Sequence, residues 1–444
     1  MNELTTSFYF TLFFLALLCS STVLKWWLAT RQMRHVARHR GAVPAAFAAK
    51  IALPAHQKAA DYTIAKNRIG LIELLFGSML LVVWTLLGGL DWLNRTLLGV
   101  LDPGLTQQVA LIISFTLIGS VLDLPFTLYQ TFVLEERFGF NKTTVRLWLQ
   151  DFAKSTLISV LIGVPFITLI VWLMGAAGST WWLWVWAVWM GFNVLAMLIY
   201  PTWIAPLFNQ FKPLDDTEYP NLQTRVTALM ERCGFHAKGL FVMDGSKRSA
   251  HANAYFTGFG ASKRVVFYDT LLKQLTPDEV DAVLAHELGH FHHRHIVKRI
   301  VLMFAMSLLG LFTLGWLSEQ LWFFKGLGVF PALDGTNQAL SLLLFMMVLP
   351  LVGTFVSPIF AQLSRRDEFQ ADTFAASKAD AKALSSALLK LMEDNASTLT
   401  PDPLYVKFYY SHPPASERLQ HPLYVKFYYS HPPASERLQH LEKP

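Results

Sequence analysis

The sequence predicts a multi-pass α-helical membrane protein that carries one soluble α+β region. Three observations predict it. The chain has 444 residues, of which 53% are hydrophobic and only 15% charged, where a soluble domain carries roughly 25% charge. Its mean hydropathy is +0.37. Seven apolar runs are long enough, or nearly so, to cross a bilayer as helices, and one polar stretch between the fifth and sixth carries the motif H-E-x-x-H. The net charge of +6 follows the loops of a membrane topology, so nucleic-acid binding is not expected. Cys19 and Cys233 lie in different environments and give no disulfide framework or thiolate metal site.

The expected spans are Ser7–Leu28, Ile69–Leu90, Val109–Tyr129, Leu157–Gly175, Trp181–Tyr200, Ile300–Trp316 and Ala339–Phe360. No basic residue precedes the first, so it reads as an anchor rather than a cleaved signal. Basic residues alternate between loops. Lys25, Arg31, Arg34, Arg38, Arg40, Lys50, Lys58, Lys66 and Arg68 surround the first connection, and Arg137, Lys142, Arg146 and Lys154 fill the third. The second has only Arg95, and the Leu317–Gln338 loop only Lys325. The positive-inside rule then puts the N-terminus outside, the C-terminus inside, and the polar region on the cytoplasmic side of a bacterial inner membrane or the endoplasmic reticulum. Glu73 and Asp123 fall within spans. Such charges face a bundle interior, a cavity or a span end.

The region after span five reads as an amphipathic helix (Tyr219–Cys233), a strand (Gly239–Met243) and a hairpin (Asn253–Gly258 with Arg264–Tyr268). An exposed strand edge there would suit an extended peptide. Thr276-Pro277-Asp278-Glu279 starts the next helix, with Thr276 as N-cap and Pro277 at the first position. Val280, Val283, Leu284 and Leu288 give it an apolar face. The sequence organises four stretches: residues 1–205 with five spans, 206–298 with the motif helix, 299–362 with spans six and seven, and 363–444 as the C-terminal region.

On that helix His286 and His290 are i, i+4 and share a face. Two imidazoles plus an oxygen ligand, with one position left open, is the pattern of catalytic zinc. Glu287 stands beside them to activate water. A helix that merely carries histidines is the alternative. A metzincin is excluded because His293 and Ile296 occupy the positions where its glycine and third histidine would stand. The third ligand is expected from Ser364–Asp372, where Glu368 and Asp372 are again i, i+4. Glu368 would bind the metal. Asp372 would accept the free ring N–H of a ligand histidine, His286 the expected one. His292, His293 and His295 read as solvated residues at the helix end.

H-E-L-G-H followed by S-R-R-D-E-F-Q-A-D resembles the type I CAAX prenyl proteases, integral-membrane zinc endopeptidases of the gluzincin type. Matching phrases are Glu135–Thr143, Tyr200–Phe211, Asp244–Tyr255 and Ser411–Leu419. The resemblance implies seven transmembrane helices enclosing a chamber, with the zinc site of a cytoplasmic metallopeptidase domain inside it. It implies one Zn2+, peptide or protein substrates that can be prenylated, and cleavage near the C-terminus of CAAX proteins with release of a tripeptide. It implies that Asn253 holds the substrate backbone and His412 donates to the oxyanion. Arg418 would bind substrate or pair with a local acid. Residues 403–421 and 422–440 are identical. The spacing from the E-F-Q-A-D phrase assigns function to His412 and Arg418 of the first copy, not to His431 and Arg437. A membrane-protein quality-control protease and a non-catalytic polypeptide-clearing chamber are the alternatives.

Overall fold

The structure, a computed structural model, describes residues 3–235, 239–257, 264–332 and 336–420. The second copy of the repeat, with His431 and Arg437, lies outside them. Among the described residues seven helical segments are long and apolar enough to cross a membrane. The first is α1 (Glu3–His39) and the second α2 (Leu53–Trp84). A short α3 (Gly89–Leu98) precedes α4 (Leu105–Tyr129), which a π turn extends to Glu135. The fourth span joins α5 (Val145–Ile158) to α6 (Val164–Ala176) through the π turn Ser159–Gly163. The fifth is α7 (Trp181–Ile199), extended to Leu207 by a π turn (Tyr200–Ile204) and one 3-10 turn.

Most helices run past the spans read from the sequence, and two differences redraw the connections. Span two ends at Trp84, not Leu90, because Gly88 takes a left-handed conformation (φ 76°) and turns the chain into α3. Span four starts earlier, at Val145, where Thr144 caps the helix. Arg146 and Lys154 therefore ride on that helix rather than in a loop.

The soluble region opens with β1 (Phe211–Pro213), α8 (Leu222–Arg232) and β2 (Gly239–Met243). The expected hairpin follows as β3 (Ala254–Thr257) and β4 (Arg264–Tyr268), antiparallel with Ala254 opposite Phe267. The sheet order is β1-β2-β4-β3, with β2 and β4 parallel, so β3 is an edge. Short α9 (Asp269–Gln274) leads into α10 (Pro277–His292), the motif helix. Then come α11 (His295–Leu317), α12 (Leu321–Gly326) and α13 (Gln338–Lys378). The chain closes with α14 (Ala381–Asp394), α15 (Pro403–Tyr409) and α16 (Ala415–Gln420).

The 41 residues of α13 make a helix about 60 Å long at ~1.5 Å per residue. That is twice the ~30 Å of bilayer hydrocarbon, so one half crosses and the other reaches the soluble region. The spanning helices are joined mainly at their two ends. At one end Phe14, Leu18, Leu90, Leu111, Val171, Phe323 and Leu344 form an apolar cluster. At the other, Ala59, Tyr62, Leu134 and Phe138 pack together, and the sheet, α8, α10 and α14 build the main core around Val226, Phe267 and Leu284. Between them the helices stand apart. Only 6% of the apolar window of α2 is buried, against 39% of α13. Ile72, Leu117, Val121, Leu195, Val301 and Phe355 are exposed. Side chains of that kind are stable outside water, facing lipid.

Candidate metal centre

The centre starts from the local chemistry of α10. Thr276 Oγ1 accepts from Glu279 N–H at 3.4 Å, and Glu279 Oε2 accepts from Thr276 N–H at 2.8 Å. This capping box satisfies the first free N–H groups of the helix. Lys390 of α14 holds the same carboxylate at 2.7 Å. Arg225 of α8 pairs with Asp281 at 2.7 Å and with Asp278. Val280, Leu284 and Leu288 are buried in the main core, so the opposite face is fixed toward α13.

Gly289 sets how closely α13 approaches. A Cβ there would lie 2.9 Å from Ala371 Cα and 3.0 Å from Ala371 O. Both are backbone atoms and cannot swing aside. We expect Gly289→Ala to force α10 and α13 apart, costing about 1–3 kcal/mol as overpacking does. Thermal unfolding and metal content of the purified variant would report it, and an unchanged variant would mean that the helices separate freely.

At this contact the motif histidines meet the glutamate. His286 Nε2 and His290 Nε2 are 3.3 Å apart. Glu368 Oε2 is 3.4 Å from His286 Nε2, and Glu368 Oε1 is 3.4 Å from His290 Nε2. Ligand atoms bound ~2.1 Å from one tetrahedral ion stand roughly 3.4 Å from each other. The three side chains therefore fit such an ion. Glu368 is 2% exposed, and its Oε2 has no hydrogen-bond partner, a costly state for a carboxylate that no cation satisfies.

His286 donates from Nδ1 to Asp372 Oδ1 at 2.8 Å, which leaves Nε2 as the lone-pair atom. Asp372 in turn accepts from Arg418 Nε at 2.8 Å through Oδ2, and from Arg418 Nη2 through Oδ1. Burial opposes a charge on His286, yet the Asp372 and Glu368 carboxylates outweigh it and raise its proton affinity. Burial and the neighbouring His286 push His290 the other way. Burial also raises Glu287, with His286 partly opposing the rise. A carboxyl so placed takes a proton more readily than one in water.

The remaining expected residues converge on one cavity. It has a volume of about 950 Å³ and is lined by Tyr62, Asn253, Asn395, Tyr410, His412 and Arg418 among others. His412 Nε2 lies 3.4 Å from Glu368 Oε1, with 67% of its side chain exposed. Asn253 is exposed immediately before the edge strand β3, and its carbonyl accepts from Tyr268 N–H at 3.0 Å. Arg418 is 6% exposed and paired with Asp372, so of its two expected uses the structure displays the local acid. In the spans, Glu73 accepts from Gln130 Nε2, while Asp123 is exposed.

Two features escaped the sequence reading. Arg365 was given no task, yet its Nη1 donates to the carbonyls of Val406 (2.9 Å) and Tyr410 (2.7 Å), anchoring the segment that carries His412. His295 read as solvated and is instead 1% exposed. Its position five residues after His290, at the start of an apolar run, was the available signal.

The family model described as CAAX prenyl protease N-terminal, five membrane helices, matches residues 32–210, and that of Peptidase family M48 matches residues 216–444. The CAAX prenyl protease 1 homolog of Arabidopsis thaliana is 41% identical over 68% of this chain and 69% of its own. CAAX prenyl protease 1 of Saccharomyces cerevisiae is 37% identical over 68% and 69%. The Mus musculus homolog is 30% identical over 91% and 94%. The crystal structure of S. mikatae Ste24p superposes with a TM-score of 0.85 and 30% identity, covering 92% of this chain and 98% of that one.

Proposed function

The chain belongs to peptidase family M48, as a multi-pass membrane metallopeptidase of the CAAX prenyl protease type, and within that family we propose that it cleaves prenylated CAAX peptides near their C-terminus. The observation that carries this reading is the set His286, His290 and Glu368, with ligand atoms 3.3–3.4 Å apart, close to a cavity large enough for a peptide.

The metal is zinc, held by those three residues. Bound there, zinc supplies Lewis acidity to a water and to the scissile carbonyl. Glu287 takes the proton of the attacking water and delivers it to the leaving amine. His412 donates to the oxyanion that develops on the carbonyl oxygen as water attacks the carbon, a contribution worth about 3 kcal/mol in comparable sites. Asn253 and the free edge of β3 hold the substrate backbone extended. Asp372 fixes the tautomer of His286.

The active site faces the cytoplasm in this reading, with the N-terminus outside and the C-terminus inside. Support comes from the basic loops, which end on the same side as the metal residues. Arg31 pairs with Asp402 at 2.8 Å, and Arg248 of the soluble region pairs with Asp151 at 2.8 Å.

The test is cleavage of a farnesylated CAAX peptide by the detergent-purified protein. Cleavage should stop when zinc is chelated, return when it is restored, and be slower on the same peptide without its prenyl group. A zinc-loaded protein that leaves the farnesylated peptide intact but cuts unprenylated membrane proteins would replace this reading with a quality-control protease.

A further inference from the structure

His295 has no task in the mechanism above, yet among the described residues it is one of the most buried polar ones, at 1% exposure. It is the first residue of the membrane helix α11. The chain reaches it through a corner at His293 and Arg294, where Arg294 adopts a left-handed conformation (φ 54°). That corner folds the start of α11 back against the end of α10. His295 Nδ1 comes to lie 3.0 Å from His290 Nδ1.

The hydrogen between those two nitrogens can be assigned from the far side of the ring. His295 Nε2 faces Gln370 Oε1 at 2.9 Å and Asp367 Oδ1 at 3.5 Å. A carboxylate oxygen only accepts, and so does an amide oxygen, so Nε2 carries the hydrogen. In the neutral ring Nδ1 is then a lone pair. The N–H between the two rings belongs to His290, whose Nε2 is left bare toward Glu368 Oε1 at 3.4 Å. The reverse arrangement would put a hydrogen on His290 Nε2, where a ligand needs a lone pair.

We infer that His295 is a positioning residue for the metal ligand His290, with Gln370 and Asp367 fixing its own orientation from α13. Asp367 is held in turn by Arg299 at 3.3 Å. Each motif histidine is thus held from behind: His286 directly by a carboxylate, His290 through a second imidazole. Both supports end on the stretch of α13 that supplies Glu368. The inference rests on the proposed metal site and assigns a support to one ligand within it.

The experiment compares His295→Leu with His295→Asn in the full-length, detergent-purified protein. Asparagine can place an amide oxygen where the imidazole Nδ1 stood, whereas leucine fills similar space with no acceptor. Zinc affinity is read by competition with a chromophoric chelator, alongside kcat and KM on the peptide. H295L should lose about 10–100-fold in zinc affinity, as outer supports of metal ligands do, with kcat reduced and KM unchanged. H295N should keep most of the affinity. Equal losses in both variants would reduce His295 to packing and overturn the inference, and so would full affinity in H295L. Should H295L fail to fold, Gln370→Leu against Gln370→Glu reads the same chain from its other end: loss in the first and retention in the second are expected, and equal affinities overturn it. Native protein that binds no zinc would instead sink the metal site itself, a result separate from either.

Discussion

Glu287→Gln should abolish proteolysis while leaving the metal in place. The side chains are nearly isosteric, and glutamine cannot take a proton. General-base steps of this kind contribute about 10²–10⁴-fold, and because Glu287 would serve both the attack and the leaving amine, the upper end is expected. His286, His290 and Glu368 are untouched, so zinc content should stay at that of the native protein. Glu368→Gln makes the opposite separation. It withdraws the ligand charge at a buried position of 2% exposure and should lose both zinc and activity. Cleavage rates and metal analysis on the two variants check this together. A Glu287→Gln protein that still cleaves at near the native rate would remove Glu287 from the reaction and favour a chamber that clears polypeptides without cutting them.

The motif helix was legible because each of its signals is local. Thr276, Pro277 and Glu279 announce the start within four residues, and i, i+4 spacing puts His286 and His290 on one face. Glu368 and Asp372 were legible for the same reason, as a second i, i+4 pair. Their arrival at α10 was not local, and it needed the 41-residue α13, which the sequence reading ended at Phe360 where charges begin. A helix that leaves the bilayer keeps its backbone bonds, so polarity alone does not end it. The corner at Arg294 was illegible because a left-handed arginine has no sequence signature, and with it went the burial of His295. The chamber also could not be read from periodicity. Helices exposed on both sides look the same as helices in lipid.

Asp372→Leu should be the most damaging single change outside the ligands, because two separate roles meet in one carboxylate. Asp372 is 1% exposed; it accepts His286 Nδ1–H and forms the ion pair with Arg418. Removing one member of a buried pair typically costs about 3–5 kcal/mol, since the other charge stays buried without its partner. We expect a lowered unfolding temperature together with lost zinc. Adding Arg418→Leu to that variant tells the roles apart. With both charges gone, much of the stability should return, as buried pairs replaced by apolar residues often show. Zinc affinity should not return, since nothing then holds the ring of His286. Recovery of both would make the pair a scaffold only. Arg418→Leu alone leaves Asp372 on His286 and should be milder on zinc than on stability. It also decides which copy of the repeat the fold uses. Arg437 stands at the same place in the second copy, and a silent Arg418→Leu would mean that this copy can take over.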